Sequence, residues 1–277
     1  MKFVFSTGSL YTYGADRTFD LARNAGFDGM EVLIDMRWDT RQPDYLRRLM
    51  DRHQLPIKAV HSPFVPVVPG WPYDDPGRIA ETVKVAEAVH APVVVHHLPM
   101  RRGWVAMHIG RRRRVFRSPF PDRDAGYRSW LLDGYQELQA STSVKLCIEN
   151  MPARRWMGRD RNLFQWNTPA EIVRFPSLTF DTTHYGTWGM EPDQVYPRLN
   201  GQVRHVHLSN FNGREHRRPE DGRLHLGRLI KQLVADKYAG VVCLELDPSG
   251  LAAGESDIRL TAQLERSLDI CRRWAED

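Results

Sequence analysis

Short apolar runs alternate along the whole chain with longer segments whose apolar residues recur at helical spacing. Brief, nearly continuous apolar runs are typical of strands that are buried on both faces, as in a parallel sheet. The pattern predicts eight strands, at 2–7, 28–34, 57–61, 92–97, 144–149, 177–181, 203–208 and 241–246. Strands of this kind need a covering layer on each side, so the segments between them decide the fold class.

Those segments are predicted to be helices, at 16–24, 42–53, 75–90, 124–140, from Thr168 onward, 192–199, 224–237 and 255–274. Thr168, Pro169 and Glu171 form a helix-start pattern with a capping residue, a first-turn proline and a glutamate three residues after the cap. Regular alternation of strands and helices indicates a parallel sheet covered by helices. Eight such units fill residues 1–277 as one domain, which predicts an α/β, single (β/α)8 TIM barrel.

A doubly wound open sheet is the alternative fold. It is disfavoured because Thr7-Gly8-Ser9 after the first strand is only a turn, not a glycine-rich phosphate loop.

Acidic and imidazole side chains end the last four predicted strands, at Glu149, Asp181, His207 and Glu245. Catalytic groups of TIM barrels lie at the carboxyl ends of strands, and neighbouring strands are about 4.8 Å apart. These four residues are therefore predicted to converge as ligands of one divalent ion, for which Mn²⁺, Mg²⁺, Co²⁺ and Zn²⁺ all suit the donor set. The alternative for each residue alone is a helix cap or an ion-pair partner.

Histidines end two earlier strands, at His61 and His96. Three interpretations stay open: a second metal site shared with Glu149, binding of a substrate oxygen, or hydrogen bonding at the barrel mouth. Strand alternation turns His97 the opposite way from His96, so we expect His97 to be structural. His205 shares the face of His207 one layer deeper and is expected to be a core or supporting residue.

Composition indicates the cellular compartment of the protein. Three cysteines, an odd number, argue against a disulfide framework and suit a reducing compartment. The first apolar run is too short for a signal peptide, and no apolar stretch is long enough to span a membrane. We therefore expect a cytoplasmic protein without a membrane partner.

Basic residues are concentrated in the long segment 101–117, which contributes to a net charge of +5. Long connections in compact domains are usually functional. The run Arg111-Arg112-Arg113-Arg114 has three interpretations: a solvated loop, a site for an anionic substrate, or contact with a nucleic-acid backbone.

Four short motifs resemble the xylose isomerase-like TIM-barrel superfamily, and the resemblance extends in order along the whole chain. They are Ile148-Glu149-Asn150, Asp181-Thr182-Thr183-His184, His207-Leu208-Ser209-Asn210 and Leu244-Glu245. The superfamily includes sugar isomerases and epimerases, dehydratases, and AP endonucleases of the endonuclease-four type. The motifs are specific for the superfamily and do not choose among its reactions.

The epimerase branch implies one divalent ion on the residues matching Glu149, Asp181, His207 and Glu245, with the two glutamates as acid and base. It also implies that residues matching His184, and an arginine near Arg214, contact substrate oxygens. Loop tryptophans often wall sugar sites, and we predict a substrate contact for Trp188.

The endonuclease branch implies three zinc ions. One is held by residues matching His61, His96 and Glu149, and a second by the four-ligand set. The third requires His184 with an Asp-x-His pair, but this sequence has Asp221-Gly222-Arg223. The missing histidine counts against a trinuclear nuclease and leaves a dinuclear hydrolase open.

Together these features predict a divalent-metal-dependent isomerase or epimerase acting on a sugar or related polyhydroxy carbonyl compound. Glu149 and Glu245 would transfer a proton through an enediolate from opposite faces of the substrate. The alternatives are a zinc-dependent AP-endonuclease-type phosphodiesterase and a dehydratase or lyase of the same superfamily. The expected partner is a sugar-like small molecule, neutral or anionic; nucleic acid and a homo-oligomer stay open, as does a second metal ion.

Overall fold

A closed barrel of eight parallel strands forms the centre of the computed structural model, in the order β1-β12-β11-β10-β7-β4-β3-β2. The structure describes residues 1–65, 67–101, 104–109, 112–117, 122, 124–156, 159–251 and 253–276, with strand positions but no side chains at 104–109, 112–117 and 155–156. The barrel strands are β1 (Lys2–Ser6), β2 (Met30–Leu33), β3 (Ile57–His61), β4 (Val93–His97), β7 (Lys145–Glu149), β10 (Leu178–Asp181), β11 (Val203–Leu208) and β12 (Val241–Leu244). The predicted (β/α)8 TIM barrel is confirmed.

Helices follow the strands and cover the outside of the barrel. They are α1 (Ala15–Asn24), α2 (Pro43–His53), α3 (Asp75–Ala88), α4 (Ala125–Leu132), α5 (Gly134–Ala140), α6 (Pro169–Ile172), α7 (Thr182–Thr187), α8 (Pro192–Val195), α9 (Leu226–Ala235) and α10 (Asp257–Glu276). Short 3₁₀ helices occupy Thr7–Leu10 and Tyr196–Arg198. The capping box at Thr168 and Glu171 is present as predicted.

Two helical features differ from the sequence prediction. The segment 124–140 forms two helices, α4 and α5, that meet at Asp133. The added helix α7 starts immediately after β10, because the Asp181 side chain accepts a hydrogen bond from the backbone N–H of His184 and caps it. Capping by a strand-end carboxylate therefore turns the chain sharply at the carboxyl end of the barrel.

Two antiparallel hairpins replace the irregular loops expected after β4 and β7. The first pairs β5 (Trp104–Ile109) with β6 (Arg112–Arg117), and the second pairs β8 (Arg154–Trp156) with β9 (Arg159–Arg161). Strands β4 and β7 are neighbours in the barrel, so the two hairpins follow adjacent strands at its carboxyl end. The side chains of the Arg111–Arg114 run lie outside the described residues, and its role stays a prediction.

Strand alternation divides the core into an inner part, inside the barrel, and an outer part, between the barrel and the helices. One cluster of buried side chains inside the barrel comprises Ala59, Val93, Val95 and Cys147, and another comprises Val4, Val241 and Cys243. Large side chains such as Phe19 and Leu229 fill the layer between barrel and helices. Because side chains repeat every second residue, Glu149 and Glu245 continue the inward-facing rows of Cys147 and Cys243.

Among the described helices, none has the length and apolar character needed to cross a membrane. All three cysteines are buried free thiols.

The outer core beside the site gives a stability prediction. Phe180 is 1% exposed, and its ring centroid lies 4.9 Å from that of Tyr185 and 5.9 Å from that of Tyr196. Phe180→Ala should lower the free energy of unfolding by about 3 to 5 kcal/mol, through lost burial and a residual cavity. Tyr73→Ala, at a side chain that is 77% exposed, is the control and should change it by no more than about 0.5 kcal/mol. Urea unfolding of both variants measures the difference; equal losses would contradict this account of the core.

Candidate metal centre

The four predicted ligands converge at the carboxyl end of the barrel, with donor atoms all within 4.8 Å of one another. Nδ1 of His207 lies 3.1 Å from Oε2 of Glu245, 3.2 Å from Oε1 of Glu149 and 3.8 Å from Oδ2 of Asp181. The four residues come from β7, β10, β11 and the position after β12, which are consecutive around the barrel. The geometry therefore joins all four at one point, as the strand-end pattern predicts.

Charge is concentrated strongly at this point. Burial alone would raise the pKa of Glu149, but the facing His207 imidazole is the main group that holds it well below its usual range. Glu245 behaves in the same way, with a pKa lowered to about 2. The pKa of Asp181 is instead raised well above its usual range, by burial and by repulsion from Glu149 and Glu245. Two ionised glutamates, one cationic imidazole and an aspartate whose ionisation is opposed by its neighbours leave this cluster with excess negative charge.

A divalent cation fits this donor set. Oδ2 of Asp181 is buried without a hydrogen-bond partner, although a carboxylate oxygen normally has one. Carboxylate oxygens with one imidazole nitrogen match the preferences of hard and borderline divalent metals. A cation here would also relieve the repulsion among the carboxylates, so the residues present suit the ion that the sequence predicts.

The opposite nitrogen of His207 meets a glutamate that the sequence reasoning missed. Nε2 of His207 lies 3.0 Å from Oε2 of Glu31, and Nε2 of His205 lies 2.8 Å from the same oxygen. Glu31 sits inside the apolar strand β2 and is fully buried. A glutamate within an apolar strand was the available signal, because a buried charge requires a partner.

A second group of possible ligands lies beside the first and shares Glu149 with it. Nε2 of His61 and Nε2 of His97 lie 3.3 Å and 3.2 Å from Oε2 of Glu149. Nδ1 of His61 lies 2.7 Å from the Ser62 carbonyl, to which it donates. Although burial opposes a charge, Glu149 raises the pKa of His61 and so favours a second proton, on Nε2. Two electron-rich atoms at this distance require a proton or a metal ion between them.

The structure corrects the assignment of His96 and His97. Nδ1 of His96 bonds the Tyr127 hydroxyl at 2.9 Å, and its buried Nε2 has no partner among the described residues. Burial lowers the pKa of His96 to about 3, so its ring is neutral. His97 shares the inward face of Val93 and Val95 and pairs in register with Glu149. The two histidines face opposite ways as predicted, but His97 and not His96 faces inward. Sequence alone does not show which of two adjacent histidines does so.

A third group contains Asp181, His184 and His216. Nδ1 of His184 donates to the Asn150 carbonyl at 2.7 Å, and burial lowers the pKa of His184 to about 4. His216, which comes from an earlier position than Asp221 in the loop after β11, supplies the second imidazole of this group. That loop also contains an internal bridge between Asn210 and Arg217, which a linear motif does not reveal.

Two residues predicted to contact substrate are not joined to the cluster by any described contact. Arg214 is exposed, and its backbone N–H donates to Oδ1 of Asn212. Trp188 donates its indole N–H to the Met151 carbonyl at 3.1 Å. Their substrate roles stay predictions.

A cavity of about 730 Å³ lies at the opposite end of the barrel, lined by strand starts such as Lys2, Lys145 and Val203. In parallel barrels that end contributes to stability, whereas chemistry occurs at the carboxyl ends of the strands. We therefore assign the candidate site to the carboxylate and imidazole cluster.

The fold and the cluster together define a TIM barrel with an acid- and imidazole-rich centre at its carboxyl end. The family model described as xylose isomerase-like TIM barrel matches residues 19–273, and the chain belongs to this family.

Known relatives and solved structures extend over nearly the whole chain. An uncharacterized protein of Mycobacterium leprae is 26% identical, and the match covers 96% of each chain. The D-psicose 3-epimerase of Clostridium cellulolyticum, solved with D-tagatose, is 15% identical with a TM-score of 0.69 over 99% of each chain. The 3-keto-D-glucoside 4-epimerase of E. coli is 18% identical with a TM-score of 0.68 over 99% of each chain. At these identities the structural likeness shows the fold.

Metal binding should release protons. Although burial opposes a positive charge, Glu245, Glu31 and Glu149 raise the pKa of His207 well above its ordinary value, so Nδ1 is protonated at neutral pH. A metal must displace that proton, so affinity should rise with pH until His207 loses its proton in the metal-free protein. Titration calorimetry with Mn²⁺ in buffers of different ionisation enthalpy measures the release. A binding enthalpy independent of buffer, with affinity independent of pH, would contradict this charge state.

Proposed function

We propose that the protein is a divalent-metal-dependent isomerase or epimerase of a sugar or related polyhydroxy carbonyl compound, acting by enediolate-type proton transfer. The observation that carries the proposal is the convergence of Glu149 and Glu245 on one imidazole nitrogen, 3.2 Å and 3.1 Å from Nδ1 of His207. The epimerase chemistry of the structural neighbours supports the same substrate class.

The ion would be held by Glu149, Asp181, His207 and Glu245. When bound, it would supply Lewis-acid polarisation of a substrate carbonyl and so acidify the neighbouring C–H. The donor set accommodates Mn²⁺, Mg²⁺, Co²⁺ or Zn²⁺.

The two glutamates would then move the proton. They belong to β7 and to the position after β12, with β10 and β11 between them, so they approach a bound substrate from different sides. Both have lowered pKa values and are ionised at neutral pH, the state in which a carboxylate accepts a proton. The proton would return to the enediolate from the glutamate that took it, or from the other glutamate after it has gained a proton from solvent. Glu245 is 17% exposed and Glu149 is 1% exposed, so we infer that Glu245 exchanges its proton with solvent more readily.

Imidazoles around the cluster would orient the substrate. His61, His97 and His184 all lie within 3.3 Å of a Glu149 oxygen, and substrate hydroxyls bound beside Glu149 would come within their reach. A sugar-like small molecule therefore suits this wall of the site.

The proton-transfer roles are tested with Glu149→Gln and Glu245→Gln. Each variant should lose about 10²- to 10⁴-fold of the rate at which deuterium from D₂O enters the substrate carbon, because a general acid–base group has been removed. The assay uses a panel of ketoses with metal content measured in each sample. Glu255→Gln, at an exposed residue paired with Arg259, is the control and should retain the wild-type rate.

Retention of deuterium exchange by a metal-loaded Glu149→Gln protein would show that Glu149 is not the base. No exchange by the metal-loaded wild type with any ketose in the panel would remove the support for the ketose class.

A second candidate function is a multinuclear metallohydrolase acting on a phosphodiester. The observation that favours it is the sharing of ligands: Glu149 belongs to both the first and second groups, and Asp181 to both the first and third. Charge balance points the same way. Glu31, Glu149, Asp181 and Glu245 carry four negative charges when ionised, of which one divalent ion balances two and two ions balance all.

Counting metal ions separates the two functions. We expect one tightly held ion for the isomerase and two or three zinc ions for the hydrolase, measured by elemental analysis after loading with Zn²⁺. In the hydrolase, His97→Gln should remove one ion, whereas the matched neighbour His96→Gln should keep the wild-type count because its ring faces Tyr127. Cleavage of a duplex containing an abasic site would overturn the isomerase proposal.

A further inference from the structure

Glu31 is a fully buried carboxylate that lies beside two imidazoles and the Cys243 thiol. It lies in the middle of β2 and pairs in register with Ser6 of β1 and Ala59 of β3, so its side chain enters the barrel below the ligand cluster. Burying a carboxylate is costly unless donors compensate it. Those donors are Nε2 of His205 and Nε2 of His207, at 2.8 Å and 3.0 Å from Oε2.

The His207 ring connects this carboxylate to the ligand cluster. A carboxylate ion only accepts hydrogen bonds, so the contact with Glu31 requires the proton on Nε2 of His207. Nδ1 of the same ring faces Glu149, Asp181 and Glu245. With its proton fixed on Nε2, the neutral ring presents a lone pair on Nδ1, the nitrogen that faces the other ligands.

A metal site at this lower level is the alternative, because the donor atoms of Glu31, His205, His207 and Cys243 lie within 4.8 Å of one another. The distances favour hydrogen bonds. Nε2 of His205 and Nε2 of His207 both lie at hydrogen-bond length from the same oxygen, Oε2 of Glu31, at 2.8 Å and 3.0 Å.

We propose that Glu31 is the positioning residue of the metal centre: it holds the proton of His207 on Nε2 and the ring in place, so that Nδ1 is the metal ligand. His205 donates to the same oxygen, Oε2 of Glu31, and so helps to hold it in place. This inference rests on the proposed metal site and adds to it a residue that touches neither metal nor substrate.

The test is Glu31→Gln. Glutamine has the same shape but is uncharged, and its amide group can donate to Nε2 and drive the proton to Nδ1. Affinity for Mn²⁺ or Zn²⁺, measured by chelator competition, should fall about 10- to 100-fold, the usual effect of losing a partner behind a ligating histidine. The melting temperature of the metal-free protein is recorded in parallel, because a purely structural role would change melting and leave affinity intact.

Cys147→Ala is the matched control. Cys147 is also fully buried inside the barrel, but it packs with Ala59, Val93 and Val95. Its loss should lower stability and keep metal affinity within about threefold of wild type. A folded Glu31→Gln protein with the affinity of Cys147→Ala would overturn the inference while leaving the metal site intact. Failure of the wild type to bind either metal would overturn the proposed function, and this inference with it.

A measurement on the unmutated protein decides the case where Glu31→Gln does not fold. Nitrogen-15 NMR of the zinc-loaded wild type, with His207→Gln used for assignment, shows which ring nitrogen carries the proton. We expect a protonated Nε2 and a metal-bound Nδ1 in His207. The opposite arrangement would overturn the role of Glu31.

Discussion

The interaction on which the site depends is the pairing of buried carboxylates with one imidazole. Glu31 meets Nε2 of His207, while Glu149 and Glu245 meet Nδ1. Without a positive or polarised group between them, these acids would repel one another inside a barrel that excludes water. His207 separates them in the metal-free chain by carrying a proton, and a cation would take over that task. The lowered pKa values of Glu149 and Glu245 and the raised pKa of His207 therefore have the same cause, which is their mutual attraction.

The barrel makes this arrangement possible through alternation and closure. Side chains of every second residue face inward, so small or apolar residues such as Val95 and Cys147 fill the interior beneath the polar layer. The layer opens only at the carboxyl end, where Glu245 is 17% exposed. Loops after the strands then build the rim. Glu215, which follows β11, pairs with Arg154 of the hairpin after β7 at 2.7 Å and lies 3.8 Å from His184. The barrel interior thus concentrates the charged side chains, and the loops of the rim determine which molecules can reach them.

Sequence periodicity was sufficient for the fold and for the four-residue cluster, because both follow from strand order and strand ends. The choice between His96 and His97 depended on the absolute facing of β4, which two adjacent histidines do not disclose. Glu31 was missed because it lies inside a strand and not at its end, although the cost of burying a carboxylate applies to it as it does to Asp181. His216 was missed because the fold of its loop, not its spacing, brings it to His184. The domain span 1–277 stays a prediction.

Asp181 shows why the number of ions matters for function. Its Oδ1 accepts the backbone N–H of His184, which starts α7, while its Oδ2 faces His207 without a hydrogen bond. One oxygen is thus committed to turning the chain and the other is free for a ligand. The backbone N–H of His184 donates to that same carboxylate. Asp181 therefore belongs both to the four-residue cluster and to the group with His184 and His216. Whether that group also holds an ion depends on repulsion between the ions, which shared carboxylates reduce. The shared carboxylates therefore make this one cluster of side chains compatible with both proposals, a single-ion isomerase and a multinuclear hydrolase.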